Sequence, residues 1–453
     1  MPKISVIMPS LNVVKYIRPC IESVLEQTLD DIEIICVDAG STDGTLEILN
    51  EYAQNDKRVR VVISEKRSYG YQMNLGFSLA SGEYIGIVET DDYIEKDMYK
   101  TLYDLACKTD ADYIKGGRYN FEYIGKIELR ESVFQFESSK YDKNGMVIIE
   151  NDTTGELLLK DYYVWTGIYK ADFVKGIKFN ETPGAAYQDI GFLAQVFINS
   201  KKAIYLNKAF YHYRQDNTGA SCYNKNAFRF LVEEYDYTDK HCAEQSNEFK
   251  FRLNCKMYRQ MYLRMLVMAY SGEIWENAVE YLKIIRGRIK NLIDEDNKIT
   301  GVLSVYEENV IKEFNENILS LYEKEKSNAD ISKKLSDEFF EKMPECDEIV
   351  IFGAGNYGRA AHLLLEMNGY NVCVFCDNSD KLQGKTLQSA GIISPKEATE
   401  KYPEAVYVIA NKNYKDEIRE QLINSGINKE NIIEYNVSGV NKNLLRKLRK
   451  EGE

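Results

Sequence analysis

Up to Val88 the chain switches between two hydrophobic periods. Ile4 to Met8, Ile32 to Val37, Val59 to Ile63 and Tyr84 to Val88 are apolar runs of strand length. Between them, Val13 to Thr28 is helix-periodic through Ile17, Cys20, Ile21, Val24 and Leu25, and further helical patterns surround Thr45 to Ala53 and Gln72 to Ala80. This alternation predicts an α/β fold with a mostly parallel sheet covered by helices on both faces. Such sheets bind ligands beyond the carboxyl ends of their strands, so the loops after the apolar runs are where chemistry is expected.

From Cys222 to Met343 there is no proline, and glycine occurs only at 272, 287 and 301, which predicts a helical zone. Met257, Met261, Met265 and Met268 recur there at helical spacing. A packed helix core explains that stripe more simply than a ligand surface. Glu323 to Asp330 is polar enough to read as a flexible connector. Near residue 344 alternation resumes, with about four strands available, at Ile349 to Phe352, Val372 to Cys376, Tyr407 to Ala410 and Ile432 to Tyr435. The predicted domains are residues 1–221, a helical domain or linker over 222–343, a small α/β unit over 344–441, and a basic tail over 442–453.

With 453 residues, the chain can form about three units at roughly 150 residues each. Its 44% apolar and 28% charged residues exclude a disordered or fibrous chain. The net charge of −13 argues against a nucleic-acid partner, because phosphate backbones require basic surfaces. No apolar run approaches the ~18–20 residues that span a bilayer, and the N-terminus enters a strand without a signal-peptide pattern, so a cytoplasmic location is expected. The nine cysteines are odd in number and scattered, which favours reduced thiols. Cys373 and Cys376 form a CxxC whose odd spacing sends them to opposite faces of a strand.

The loop after the first run, Pro9, Ser10, Leu11, Asn12, has no glycine, so it cannot bring backbone against a pyrophosphate as a dinucleotide fold does. The second run ends at Asp38 before Gly40, Ser41, Thr42, Asp43 and Gly44. A carboxylate there can accept from base or ribose donors, whereas Asp43 suits a helix cap. The fourth run ends in Glu89, Thr90, Asp91, Asp92, and three acids in four residues repel unless a cation or hydrogen bonds compensate. Mg²⁺ or Mn²⁺, which use one or two carboxylates together with substrate phosphates, would serve; a solvated acidic turn is the simpler alternative. Asp189 precedes an amphipathic helix, where a capping role is ordinarily favoured. His212, one of three histidines, lies in an aromatic strand, where a histidine is more often a satisfied core residue than a ligand.

In combination, Val6 to Asn12, Asp38 to Thr45, Gly82 to Tyr93 and Gln188-Asp189 resemble the family 2 glycosyltransferases of GT-A fold, over roughly residues 3 to 221. The resemblance implies that Asp38 contacts uracil or ribose, that Asp91 binds Mn²⁺ or Mg²⁺, and that Glu89 holds ribose or metal-bound water. It makes Asp189 the general base and lets His212 complete the metal site. Pro9, Ser10, Asn12, Asn74 and Thr90 are the other expected donor contacts. Glu89 stands where the family usually has Asp, and Met73-Asn74 where many members have Arg-Asn, so a cation such as Lys66 or Arg67 is expected to substitute.

In the last unit, Gly353, Gly355 and Gly358 form GxGxxG after a strand, and Asp377 ends the next strand, a Rossmann-like order that allows nucleotide binding or a scaffold or oligomerisation role. The expected function is inverting transfer of a sugar from a nucleotide donor, with uridine the expected base, to a hydroxyl on a glycan, lipid-linked glycan or protein, in bacterial surface glycan synthesis. The competing readings are a non-catalytic nucleotide-sugar-binding or assembly protein, and a bifunctional enzyme with a second sugar-nucleotide site in the last unit. Five basic residues from Lys442 to Lys450 fit either a solvated helix end or peripheral contact with anionic lipid.

Overall fold

The computed structural model describes residues 1–152, 154–217 and 219–437. Thr218 and the basic tail from Lys442 to Lys450 lie outside the described residues. The chain divides into two compact units, one of residues 1–121, 130–264 and 275–319, the other of 122–129, 265–274 and 320–453.

The first unit is built on a ten-stranded sheet of β1 (Ile4–Ser10), β2 (Ile32–Asp38), β3 (Val59–Ile63), β4 (Tyr84–Ile87), β5 (Tyr93–Ile94), β6 (Tyr113–Ile124), β7 (Ile127–Val133), β8 (Met146–Glu150), β9 (Gly167–Lys170) and β10 (Lys202–Arg214). Its order is β3-β2-β1-β4-β9-β6-β10-β5, with β7 on β6 and β8 on β10. The β1–β2, β2–β3, β1–β4 and β6–β10 pairs are parallel, while β9 runs antiparallel between β4 and β6. Every residue of β1 is buried, as a strand covered on both faces requires. One cover is helix Ile17–Leu25, which buries Ile17, Cys20, Ile21 and Val24. Another is helix Tyr69–Leu79, which comes so close that a Cβ on Gly76 would lie 2.5 Å from Ile7 Cγ2. In-register pairing of β1 with β2 sets Ser10 beside Asp38, so two loops leave the sheet together.

Residues expected to be helical form helices that divide between the units. Asn247–Ser271 buries all four methionines of its stripe. The expected connector Glu323 to Asp330 is instead inside helix Ser320–Glu341. Its buried stripe is narrow, including Leu321, Tyr322, Ala329 and Phe339, so a helix with a mostly charged surface is still held by one face.

The second unit has a six-stranded sheet rather than about four strands. It comprises β11 (Ile349–Phe352), β12 (Val372–Cys376), β13 (Thr386–Leu387), β14 (Ala390–Ile393), β15 (Val406–Ile409) and β16 (Ile432–Glu434), in the order β13-β14-β12-β11-β15-β16. The strands not expected, β13 and β14, have two and four residues, too few to show alternation. The eight described cysteines are free thiols. Among the described residues no helix is long and apolar enough to cross a membrane.

Candidate active site

The loops after β1 and β2 are joined by side chains. Asp38, fully buried, accepts from Gly40 N (2.9 Å) and Ser41 N (2.7 Å) on Oδ1, and from Ser10 Oγ (3.0 Å) and Ser41 Oγ (2.6 Å) on Oδ2. The sharp turn depends on Gly40 at φ +82°. Asn12 donates its N–H to Ser41 Oγ (2.9 Å) and accepts from Thr42 N (2.9 Å). Asp43 accepts from Thr45 N, Thr45 Oγ1 and Val14 N; burial works against its charge, but these bonds prevail and hold the carboxyl below the usual range. Gln72, which the sequence did not single out, donates to Ser10 O (3.0 Å) and Val37 O (2.6 Å) and ties helix Tyr69–Leu79 to both strand ends.

The acidic loop after β4 is latched to these loops by Thr90 Oγ1, which donates to Pro9 O across 2.8 Å. Asp91 Oδ2 accepts from Asn217 Nδ2 (2.7 Å), and Asp92 Oδ1 from Arg214 N (2.7 Å). Tyr69 Oη donates to Glu89 Oε1 (2.6 Å), and Glu89 N–H donates to Tyr211 Oη (2.9 Å). Burial pushes Glu89 up to about 8, against the Tyr69 bond and reinforced by Asp91 and Asp189. Burial likewise raises Asp92, with Asp91 adding to it. The acid run is therefore held by hydrogen bonds, and burial disfavours charge on Glu89 and Asp92.

Asp189 lies in the first turn of helix Gln188–Asn199, behind Tyr187 at φ +67°. Burial raises it to about 6, opposed first by the charge of Lys256, then by the Ile190 N–H, and also by Lys115. The helix start is fixed from a neighbouring helix, Ala227–His241, by buried Glu234, which accepts from Gly191 N (2.9 Å) and Asn180 Nδ2 (3.0 Å). A Cβ on residue 191 would lie 2.3 Å from Glu234 Oε1, so a side chain there would displace the carboxylate that holds the helix start.

These parts open on one cavity of about 890 Å³ lined by Pro9, Ser10, Glu89, Thr90, Asp91 and Asp189. Arg118, Tyr163, Trp165, Arg214 and Asn217 also line it. Trp165 stacks on Tyr211 at 4.0 Å between ring centroids. Apolar walls with a few convergent acids and perturbed titration are what a small-molecule site offers.

Five expected residues are elsewhere. Asp38 and Asn12 are spent on the loop bonds described above and do not line the cavity. Lys66 pairs with Glu181 (2.8 Å) over the Tyr71 ring, and Asn74 brackets Phe179 and Glu181. Neither borders the cavity. His212 is 2% exposed and stacks on Tyr93 at 4.1 Å. Its Nδ1 accepts from Arg130 (2.5 Å) and its Nε2–H donates to Glu95 (2.8 Å), so no nitrogen lone pair remains for a metal. Among the described residues no three His, Cys, Asp or Glu side chains form a metal-holding group. Asp91 can still fit a hard cation of the kind held by one carboxylate and substrate phosphates.

In the second unit, Gly353 (φ +111°) and Gly358 meet so closely that a Cβ at 358 would be 1.9 Å from Gly353 O, while a Cβ at Gly355 would meet nothing within 4 Å. Asp377 accepts from Ala354 N (2.9 Å) and Ser379 N (2.8 Å), closing the glycine turn with its own carboxylate.

Residues 5–156 match Glycosyl transferase family 2, and residues 345–433 match a family described as C2185-like, N-terminal. Glycosyltransferase GlyA of Streptococcus pneumoniae serotype 4 is 35% identical over 220 residues, 47% of this chain but 30% of that protein. Glycosyltransferase GlyG of the same organism is 32% identical over 222 residues, 47% of this chain and 70% of its own length. In fold, the first unit's architecture is shared with S. aureus TarS 1-349 in complex with UDP-GlcNAc, which is similar at a TM-score of 0.54 and 18% identity, covering 72% of this chain and 91% of that one. A parallel-dominated sheet, paired loops after β1 and β2, an acidic loop after β4 and a relative matched over most of its length lead to one conclusion: this chain belongs to the family 2 glycosyltransferases, on a GT-A fold.

Proposed function

We propose that the first unit transfers a sugar from a nucleoside diphosphate donor to a hydroxyl acceptor with inversion at the anomeric carbon. The observation that carries this reading is that the β1 loop, Glu89 to Asp91 and Asp189 border the same cavity. Donor would lie over the β1 and β4 loops, with Pro9, Ser10 and Thr90 against the nucleotide. Asp189, raised to about 6, is deprotonated at neutral pH yet basic enough to take a proton from an attacking hydroxyl. Tyr163 and Trp165 offer flat faces for a sugar ring. Mn²⁺ or Mg²⁺, if held, would be held by Asp91 with the donor's phosphates, and would supply neutralisation of the leaving diphosphate. The buried Asp38 network would act indirectly, by setting the loops that receive the nucleotide.

Uridine, guanosine and other nucleotide sugars incubated with the full chain and Mn²⁺ test the reading. One donor should release its nucleoside diphosphate, and Asp189→Asn should suppress that release. Absence of release across the panel, together with no binding of any nucleoside diphosphate, would contradict it.

A further inference from the structure

The cavity contains a buried positive charge that the transfer chemistry above does not use. Arg118, on β6, is 8% exposed and lines the cavity. Its Nε donates to Asn120 Oδ1 (2.9 Å), and its guanidinium lies 3.9 Å from the centre of the Tyr163 ring. Among the described residues its terminal nitrogens meet no protein acceptor and no carboxylate lies within ion-pair distance. Three other cations along the wall differ: Lys160 faces Glu156, Arg214 faces Asp216 (3.2 Å) and Arg259 faces Glu307 (2.8 Å). Asp161, which like Arg118 acts on Tyr163, is already taken: fully buried Lys115 donates to Asp161 Oδ2 (2.5 Å) and fully buried Lys256 to Asp161 O (3.2 Å). A desolvated guanidinium without a counter-ion is costly, and the cost is recovered when an oxyanion meets both terminal nitrogens. The stack on Tyr163 fixes the plane of that fork before the anion arrives.

Resting on the proposed glycosyl transfer, we infer that Arg118 seats a compact oxyanion, a carboxylate or phosphate, carried by the acceptor saccharide. The assignment to the acceptor follows from topology. The loops proposed for the donor follow β1 and β4, whereas Arg118 is on β6, with β9 between β6 and β4. Tyr163, which carries the Arg118 guanidinium, also feels the charge of Asp189, the base that the acceptor hydroxyl must reach. Arg118 is thus a specificity-determining residue: it selects acidic over neutral acceptors in a chain whose net charge of −13 would otherwise repel them.

The test uses the full chain saturated with a nucleoside diphosphate, with glucose, glucuronate and glucose 6-phosphate as probes followed by saturation-transfer NMR. At least one acidic sugar should bind tenfold or more tightly than glucose, and which one does so separates carboxylate from phosphate. In Arg118→Gln that preference should disappear while nucleoside diphosphate affinity is retained, and Arg118→Lys should keep part of the preference without the bidentate geometry. Three results would overturn the inference: acidic sugars binding no better than glucose to the wild-type chain, the preference persisting in Arg118→Gln, or an equal loss of nucleotide affinity in that variant, which would assign the charge to the donor. The wild-type comparison stands even if the variants fold poorly. Failure of nucleotide binding would strike the transfer reaction itself, whereas bound nucleotide without acid preference would strike only the role of Arg118.

Discussion

Asn217 Nδ2 donates to Asp91 Oδ2 across 2.7 Å, linking the segment that follows β10 to the acidic loop. The bond orients the carboxylate proposed to face the donor diphosphate. Asn217→Ala should therefore raise the Mn²⁺ concentration needed for half-maximal nucleotide release several-fold, with little change in melting temperature. An unchanged Mn²⁺ midpoint would mean that the bond has no part in holding the cation.

Asp189 gives a signed pH dependence. Its folded value of about 6 exceeds that of an ordinary carboxyl near 3.9, and catalysis requires the deprotonated form. Release of nucleoside diphosphate with acceptor present should rise with pH through about 6 and level off above it. Asp189→Asn should lower turnover by about 10²–10⁴-fold and leave donor affinity within a few-fold.

The same shift predicts a gain in stability. A carboxyl whose folded value is raised contributes stability below its unfolded value and loses that contribution as pH rises through about 6. At pH 8 Asp189→Asn should melt no lower than the wild type, and its advantage should shrink at pH 5. A variant less stable at both values would show that the charge is welcome where it sits.

Asp38 is expected to fail differently. Its removal strands four donors around a fully buried position, so Asp38→Ala should cost about 3 kcal/mol in urea unfolding and lose nucleotide binding through loop disorder. Normal stability with lost binding would instead point to direct contact with the nucleotide.

His212 bridges Arg130 and Glu95, so His212→Gln should lower the melting temperature while the Mn²⁺ midpoint stays within twofold of the wild type. A large shift in that midpoint would restore the histidine to the metal site.

The reach of the sequence is visible in these residues. β1, β2 and β4 are mostly apolar runs because helices cover both faces, and a run of that kind is readable without a structure. The loops that follow them were readable for the same reason, and Glu89, Asp91 and Asp189 do meet at one cavity. What a polar side chain bonds to was not readable: Asp38 and His212 have the residue types a donor site needs, but their lone pairs are taken by Ser41 and Arg130. Arg118 gave no signal at all. It stands in mid-strand within a mixed run, YIKGGRYNFEYI, and only the pairing of β6 with β9 and β10 brings it to the cavity.

Calorimetric titration of uridine diphosphate into the wild-type chain and Asp91→Ala, each with Mn²⁺ and with EDTA, tests the central claim most directly. The account expects binding to the wild type that weakens at least tenfold in EDTA, and equally weak binding to the variant under both conditions. Binding that is identical in all four titrations would contradict the assignment of the acidic loop to the donor diphosphate.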